Sequence, residues 1–532
     1  MNLKLSPEKK ILIVLLCLSG VVLFFNVGHY YLWGDEGVTA FYGKSVMKFG
    51  LPYGFDGTNL HQTKNGLFLN GNLLPHLDGW LQYYAAALSM TLFGTDTFGA
   101  RALFVAAGLL SILLQYIFVV RFFRDEQLAL INVLLLTTSV TFLLFTRQCR
   151  YYSLVMLLAP AVGCLYSLDR RGWVPYIGAC LLFLLLFFSQ YIIAFAILTA
   201  FLVVFALFDD RDRAFRFFLR PLPVVIGVAG LFLFWLYHPG APHHPNMLKN
   251  LHPADFGRIF WLYVKDFNGT QLLPVGVVPF LIWSWIREKR SPESAGLSRR
   301  GVPAVLLLVL LFTLILSVLS PQSSDARYSD IRYACAVFPF LLLLQALAVR
   351  PLWDWHKGLA TLMLVVMIFT NFLTFTTPRS FLADYVAENV RNHDNSVKAA
   401  VQFLEKRIRP GEFLLVSPNH MIGSMEFYLG DRMRFCNVIG PDSPILHSRQ
   451  MRIPEYVYSE DTLPDWVVLF GWETDQEHTK RHLEKLLSKD YRAYRLPVFG
   501  PDVSRPELFW RSFSPVTGYP DALGLTILER AR

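Results

Sequence analysis

Two adjacent carboxylates, Asp35 and Glu36, follow directly after the first long apolar run of the chain. If that run spans a bilayer, the pair lies within a few residues of the membrane surface. An ionised side chain at that depth is costly unless it is paired or used. A carboxylate in such a place can take a proton from a hydroxyl group, which is general-base chemistry. A solvated loop end would carry the same residues, and composition alone weighs the two interpretations equally.

Arginine and tyrosine occur together at the ends of two further apolar runs. The residues are Arg147, Arg150 and Tyr151 at one end, and Arg327, Arg332 and Tyr333 at the other. Arginine binds phosphate through a planar fork of N–H groups, and tyrosine adds hydrogen bonds and stacking. We predict that these residues bind an anionic lipid headgroup at its phosphate, with Lys265 as a further candidate. The alternative is that the arginines extend to bulk lipid headgroups without a specific ligand.

A segment rich in His and Pro, residues 238–270, contains the neighbours His243 and His244. Two histidines with a carboxylate suit zinc, but no partner stands at a fixed spacing, so this metal site is the weaker interpretation. We predict instead that the segment covers the site, with an interfacial helix near residues 256–264. The six cysteines are scattered, and they indicate neither a disulfide framework nor a zinc site.

The composition is that of a membrane protein. Of 532 residues, 54% are hydrophobic and only 17% are charged, where a soluble protein carries about 25% charged residues. The mean hydropathy is +0.39. Long apolar runs recur along the first 375 residues, as bilayer-spanning helices require. Eleven spans are predicted, at 11–28, 102–120, 128–146, 152–168, 174–188, 191–208, 221–237, 271–286, 301–320, 333–349 and 358–375.

The charges between the spans predict the orientation. Loops on the N-terminal side hold 18 lysines and arginines in 56 residues, against 11 in 125 for the opposite loops before residue 376. Cytoplasmic loops collect these residues, so the N-terminus is predicted to be cytoplasmic. The same bias accounts for the net charge of +9, and no nucleic-acid partner is expected. The run 80–93 is too short to span, and we predict that it is an interfacial or re-entrant helix.

Residues 376–532 differ in character from the spans, because charged residues and prolines return. Short strand-like runs at 413–416, 466–470 and 525–528 alternate with helical stretches at 396–407 and 477–487. This alternation predicts an α/β domain. The predicted fold class is therefore a polytopic α-helical membrane protein with a C-terminal extracytoplasmic α/β domain. The predicted domains are a transmembrane catalytic domain, 1–375, whose first external loop at 29–101 contains interfacial helices, and a soluble domain, 376–532.

The order of these motifs resembles that of a known family. Asp35-Glu36 after the first span, Leu-Phe-Gly at 92–94 with Arg101 before the second, and the run Arg147–Tyr152 at the third helix end all fit it. Together they resemble the bacterial GT-C glycosyltransferases, in particular the protein O-mannosyltransferase-like group (glycosyltransferase family 39) and the lipid A aminoarabinose transferases. The resemblance covers roughly residues 1–375, and the C-terminal domain resembles soluble domains that some members carry.

The resemblance implies an inverting transfer of a sugar from a polyprenyl-phosphate donor to an acceptor hydroxyl. The family's catalytic acid corresponds to Asp35, with Glu36 beside it. Arg147, Arg150, Arg327 and Arg332 would stabilise the charge that develops on the lipid phosphate. The acceptor would be a lipid, a polysaccharide or a protein. The location would be the bacterial inner membrane, where membrane lipids surround the spans. The C-terminal domain would lie in the periplasm.

The sequence departs from several relatives in one respect, since Arg147–Tyr152 contains no second acid. A divalent-metal site of the oligosaccharyltransferase kind is therefore not favoured, and no cofactor is required. Asp56, Asp78 and Asp330 are acids that could substitute, so a divalent metal stays open.

Other functions also stay open. A lipid-linked-glycan transporter or flippase would use external arginines too, but it should show polar residues at helix centres and often an internal repeat. A glycan polymerase or ligase with a pyrophosphate-linked donor and a non-catalytic scaffold are the remaining alternatives.

Overall fold

A computed structural model describes most of the chain. The described residues are 6–61, 69–168, 172–237, 252–290, 301–321, 328–376, 379–391, 395–417, 419–436, 463–470, 491–499 and 524–531.

The described residues are mostly helical. The helices, in chain order, are α1 (Pro7–Phe24), α2 (Gly34–Phe49), α3 (Leu81–Phe93), α4 (Thr97–Phe123), α5 (Glu126–Thr138), α6 (Val140–Thr146), α7 (Tyr151–Tyr166), α8 (Trp173–Ser189), α9 (Tyr191–Phe208), α10 (Arg211–Leu219), α11 (Leu222–Tyr237), α12 (Pro253–Gly269), α13 (Val278–Arg290), α14 (Gly301–Leu319), α15 (Phe338–Trp355), α16 (Lys357–Phe369), α17 (Phe381–Arg391), α18 (Ser396–Glu405) and α19 (Ile422–Leu429). Short 3-10 segments lie at Val275–Val277, Ile331–Val337, Phe372–Thr374 and Asn419–Met421.

Several of these helices have the length and composition of membrane spans. Within the described part of the chain, five helical stretches are long and apolar enough to cross a bilayer, and the bent pair α5 and α6 makes a sixth. Ser139 bends this pair by 68°, because its backbone is extended and its hydroxyl caps α6. Shorter apolar helices include α7, α8 and α16. The chain is a multi-pass membrane protein, and the predicted count of eleven spans stays a prediction.

The chain divides into two compact units. The first comprises Met1–Phe25, Phe104–Gly230 and Pro245–Val390. The second comprises Asn26–Leu103, Leu231–His244 and Arg391–Arg532. The predicted domain boundary at residue 375 stays a prediction.

Apolar helices build the first unit. Helix α9 packs against α8 and α14, α15 packs against α5, α13 and α16, and α7 packs against α8 and the 3-10 segment Ile331–Val337. Helix α15 is buried almost throughout Phe338–Val349. A helix that is apolar on all sides and buried at the centre of a bundle is typical of a membrane domain.

A mixed sheet lies in the second unit. Its strands are β1 (Phe413–Ser417), β2 (Arg434–Phe435), β3 (Trp466–Leu469), β4 (Tyr491–Phe499) and β5 (Gly524–Arg530), in the order β2-β1-β3-β5-β4. Strand β1 is parallel to β2 and β3, while β5 is antiparallel to β3 and β4. The apolar residues of α18 and α19 pack on this sheet in one core. The predicted strands and the α/β character are confirmed; the predicted helix 477–487 lies outside the described residues.

Candidate active site

Asp35 and Glu36 lie in the first turn of α2, where the positive end of the helix dipole favours carboxylates. Asp35 is half-buried, and its backbone carbonyl accepts a hydrogen bond from the Thr39 hydroxyl at 3.2 Å. Glu36 is fully buried. The two adjacent acids thus occupy different environments, because successive residues of a helix point about 100° apart.

Arg101 fixes the position of Glu36 and of the chain that leads into α2. Its Nε and Nη2 atoms donate to the two Glu36 carboxylate oxygens at 2.8 and 2.5 Å. Its Nη1 atom donates to the carbonyls of Val27 and Tyr30 at 2.8 and 2.7 Å. One buried guanidinium therefore joins four acceptors in residues 27–36, and it holds the backbone on both sides of the turn next to Asp35.

Helix α2 also packs closely on α19, and glycines permit this approach. A Cβ atom at Gly37 would lie 2.3 Å from the Ser424 backbone nitrogen, and one at Gly34 would lie 2.4 Å from the His420 carbonyl oxygen. Interfacial helices were predicted within the loop 29–101, but none was placed at 34–49, where glycines lower the helix propensity. The signal that would have revealed it is the apolar spacing of Val38, Phe41 and Tyr42, which pack into one cluster of the second unit.

Arg147 makes contacts in the first unit that sequence analysis did not anticipate. Its Nη1 atom donates to the Tyr385 hydroxyl and, at 2.9 Å, to the Asn389 side-chain oxygen. Its Nη2 atom donates to the Phe25 carbonyl at 2.9 Å. Tyr385 and Asn389 are on α17, in the region predicted to be soluble. The neighbouring carboxyl of Glu388 is buried, and burial raises its pKa from 4.5 to about 8 against the opposing effect of Arg147.

The remaining predicted phosphate ligands in the described chain also lie in the first unit. Arg150 is the residue before α7, and its guanidinium lies 5.3 Å from the Tyr151 ring. Because α7 packs against the 3-10 segment Ile331–Val337, the structure brings this pair to the element that carries Arg332 and Tyr333. The guanidinium of Arg332 forms an ion pair with Asp330 at 2.6 Å and lies 5.9 Å from the Tyr333 ring.

Helix α12 holds the segment before Arg332. The Asp266 carboxylate accepts hydrogen bonds from the Ser329 backbone N–H and hydroxyl, each at 2.6 Å. Its burial raises the pKa of Asp266, although the Ser329 donors oppose that shift. The neighbouring Lys265 ammonium lies 5.3 Å from the Tyr328 ring. Lys265 and Arg332 are thus joined through residues 328–330, a link that spacing in the sequence does not reveal.

Some predicted residues are not described or are already engaged. Arg327, His243 and His244 lie outside the described residues. Among the residues that the structure does describe, no group of three His, Cys, Asp or Glu side chains is placed to hold a metal ion. Of the acids that could substitute, Asp56 accepts the backbone N–H groups of Thr58 and Asn59, and Asp330 pairs with Arg332.

The fold defines a class of membrane protein, those with the GT-C fold. The chain has the fold of the ArnT protein from Cupriavidus metallidurans bound to undecaprenyl phosphate, with a TM-score of 0.58, 13% identity and coverage of 98% of both chains. It also resembles the oligosaccharyltransferase of Archaeoglobus fulgidus in complex with Zn and sulfate, with a TM-score of 0.51 and 12% identity over 87% of this chain and 68% of the other.

A second structure of the Archaeoglobus fulgidus protein, AglB in complex with an inhibitory peptide and a dolichol-phosphate, matches with a TM-score of 0.51 and 11% identity over 87% of this chain and 69% of the other. No family model matches the sequence, and no curated protein matches it. The likeness to these solved structures confirms the GT-C fold that the motifs predicted.

Proposed function

We propose that the protein is an inverting glycosyltransferase that moves a sugar from a polyprenyl-phosphate donor to an acceptor hydroxyl. The observation that carries this proposal is the likeness over 98% of the chain to a transferase whose structure holds undecaprenyl phosphate. The AglB complex with a dolichol-phosphate supports the same kind of donor. Fold alone does not assign chemistry, so the proposal also depends on the surroundings of Asp35 and of the cations.

In the proposed reaction Asp35 is the general base. The acceptor oxygen attacks the anomeric carbon and passes its proton to the Asp35 carboxylate, while the bond from that carbon to the phosphate oxygen breaks. The polyprenyl phosphate leaves with the bonding electron pair. One displacement inverts the anomeric carbon. The half-buried position of Asp35 in the first turn of α2 supports this role, because it combines access for an acceptor with a fixed backbone.

Glu36 has a positioning role in this proposal, in place of the catalytic role predicted beside Asp35. Its carboxylate is fully buried, and both of its oxygens accept hydrogen bonds from Arg101. Since the same guanidinium holds the carbonyls of Val27 and Tyr30, Glu36 and Arg101 together set the backbone from which Asp35 projects.

The cations of the first unit are proposed to stabilise the leaving phosphate. Lys265, Arg150 and Arg332, together with Arg327, supply the positive charge that a phosphate monoester leaving group needs. Tyr151 and Tyr333 line the same elements. Arg147 is assigned a positioning role instead, because its described hydrogen bonds tie α17 to the backbone of Phe25. No step of this scheme passes through a metal.

The proposed location is the bacterial inner membrane, with a cytoplasmic N-terminus and a periplasmic C-terminal domain. The charge bias of the loops supports it. In that orientation both Asp35 and the C-terminal domain are extracytoplasmic, where a lipid-linked sugar and an acceptor can meet. The acceptor class, whether lipid, polysaccharide or protein, is the part of the proposal that experiment must define.

The direct test follows the release of polyprenyl phosphate. Purified wild-type protein and Asp35→Asn are incubated with a panel of radiolabelled sugars linked to polyprenyl phosphate or to polyprenyl pyrophosphate, and slow transfer to water replaces an unknown acceptor. We expect wild type to release lipid phosphate from one donor and Asp35→Asn to be slower by about 10²- to 10⁴-fold. Equal rates for the two proteins would contradict the assignment of Asp35. Processing of pyrophosphate-linked donors alone would favour the polymerase or ligase function, and binding without turnover would favour the transporter.

A further inference from the structure

The short segment before Asp35 has no regular secondary structure. Residues 31–33 are extended chain that leads into α2, and Asp35 is the second residue of that helix. Leu32 and Trp33 are buried. Backbone groups in a buried segment of this kind need hydrogen-bond partners from elsewhere in the fold. The position of the Asp35 side chain therefore depends on the groups that hold residues 31–33.

Tyr428, on α19, holds this segment in two ways. Its hydroxyl oxygen accepts the backbone N–H of Leu32 at 2.9 Å. Its ring stacks on the ring of Tyr31, with the ring centroids 4.1 Å apart and an angle of 22° between the planes. Tyr428 and Leu32 are 396 positions apart in the sequence. One side chain from the C-terminal region thus fixes both the backbone and a side chain of the segment that precedes Asp35.

The hydroxyl of Tyr428 is itself held in place by α4. Its oxygen lies 2.7 Å from the Thr97 hydroxyl oxygen, and either group can donate. Burial raises the pKa of the Tyr428 phenol, so the hydroxyl keeps its proton near neutral pH. Arg101, one turn further along α4, donates to the carbonyls of Val27 and Tyr30. Tyr428 and Arg101 therefore hold neighbouring parts of residues 27–36.

Helix α2 itself also packs against α19 beyond Gly34 and Gly37. A Cβ atom at Gly423 would lie 2.8 Å from the backbone nitrogen of Val38. The Lys44 ammonium donates to the Phe427 carbonyl at 3.1 Å. The contacts with the segment 420–427 thus extend over ten residues of α2, about 15 Å of helix. The helix that carries Asp35 and the segment before it share one support.

We propose that Tyr428 is a positioning residue for Asp35, so that the C-terminal region takes part in catalysis by fixing the general base. This inference rests on the proposed function, because it requires Asp35 to be the base. A general base must lie within hydrogen-bond reach of the hydroxyl that it deprotonates, and a small displacement of a catalytic group lowers the rate steeply. Without the Tyr428 hydroxyl, the Leu32 N–H loses its partner and the segment before Asp35 becomes less fixed.

The variant Tyr428→Phe tests the contact without any reliance on turnover. It removes one oxygen atom and keeps the ring that stacks on Tyr31. Hydrogen exchange is measured on full-length protein in detergent, in peptides that cover residues 27–36. We expect the Leu32 amide to exchange at least about tenfold faster in the variant than in wild type. Equal protection in the two proteins overturns the proposal.

Tyr491→Phe is the matched control. The Tyr491 hydroxyl donates to the Pro464 carbonyl at 2.7 Å, so this variant removes a tyrosine hydroxyl bound to a backbone group elsewhere in the second unit. Exchange of residues 27–36 and turnover are expected to stay at the wild-type values. If Tyr491→Phe loosens residues 27–36 as much as Tyr428→Phe does, the effect is general and the specific role of Tyr428 is refuted.

A double-mutant cycle on turnover separates positioning from a general loss of structure. Release of polyprenyl phosphate at saturating donor is expected to fall about tenfold in Tyr428→Phe. The KM for the donor should change less than about twofold, because the proposed phosphate-binding residues belong to the first unit. In the Asp35→Asn background, where the base is absent, Tyr428→Phe should cost less than about twofold more. A tenfold loss in both backgrounds would show that Tyr428 does not act through Asp35, and would overturn the proposal.

The two measurements also distinguish this inference from the proposed function. If wild type releases lipid phosphate from no donor, the proposed function fails, and hydrogen exchange alone decides whether Tyr428 holds the segment. If exchange rises in Tyr428→Phe while its turnover equals that of wild type, the role in the reaction is refuted. Thr97→Val keeps the bond to Leu32 and should raise exchange of residues 27–36 less than Tyr428→Phe. A larger rise would assign the support to Thr97 and overturn the role of Tyr428.

Discussion

Comparing Glu36→Gln with Asp35→Asn tests whether the two adjacent acids have different roles, Glu36 in positioning the backbone and Asp35 as the general base. Each substitution exchanges a carboxylate for an amide of nearly the same volume. Glu36→Gln removes the negative charge that faces the Arg101 guanidinium, where the two side chains are 0% and 6% exposed. Asp35→Asn changes a half-buried group in the same helical turn, so the pair forms a matched control.

The expected cost of Glu36→Gln follows from burial. Removing one partner of a buried ion pair leaves an uncompensated charge and costs about 3–5 kcal/mol. That corresponds to roughly 150- to 4,000-fold in the unfolding equilibrium, since about 1.4 kcal/mol is a factor of ten. Asp35→Asn changes a side chain that is only half-buried, and its effect on the free energy of unfolding is expected to be smaller than that of Glu36→Gln.

The assay measures unfolding and turnover on the same preparations. Urea unfolding in detergent is followed by tryptophan fluorescence, and release of polyprenyl phosphate gives the activity. Glu36→Gln is expected to unfold at lower urea than Asp35→Asn, and Asp35→Asn is expected to lose activity. Adding Arg101→Gln to Glu36→Gln should restore part of the lost stability, because the unpaired cation is removed. The reasoning is refuted if Glu36→Gln unfolds at the wild-type midpoint.

Three further predictions concern the first unit and the metal question. Glu388 binds its proton up to about pH 8 in the folded state but ionises near pH 4.5 in the unfolded chain. The free energy of unfolding should therefore fall by about 1.4 kcal/mol per pH unit as the pH rises between these two values. Thermal melting from pH 5 to 9 should show this fall in wild type and a smaller one in Glu388→Gln. Asp266→Ala should release Ser329 and raise the KM for the lipid donor about tenfold with less effect on kcat. An unchanged KM would contradict the inference that Asp266 positions the segment before Arg332. Activity should persist in excess EDTA, and a loss that Zn²⁺ or Mn²⁺ restores would contradict the metal-independent scheme.

Much of the secondary structure could be predicted from the sequence alone. The span predicted at 191–208 coincides with α9, and the strand predicted at 413–416 differs from β1 by one residue. Apolar runs of this length have one stable form in a bilayer, because every backbone polar group must be paired within the segment. The local pattern of apolar residues is therefore enough to predict these helices, and distant residues do not change the prediction.

Helix α2 shows where local pattern fails. Glycine at positions 34, 37 and 43 lowers its helix propensity, yet a side chain at Gly37 would collide with the backbone of Ser424. The reason for the glycine lies almost 400 residues away. Only the packed structure explains why a sequence that disfavours a helix forms one.

The sequence by itself determined the membrane class and three of the five described strands, and it singled out Asp35 as a candidate catalytic residue. The tertiary structure decided which polar groups meet: Arg101 with Glu36, Arg147 with α17, and Tyr428 with the backbone of Leu32. These pairings join residues 65 to 396 positions apart. Side-chain type and spacing specify what a charged group can bind, but its partner is set by the fold that buries it, because burial makes an unpaired charge costly.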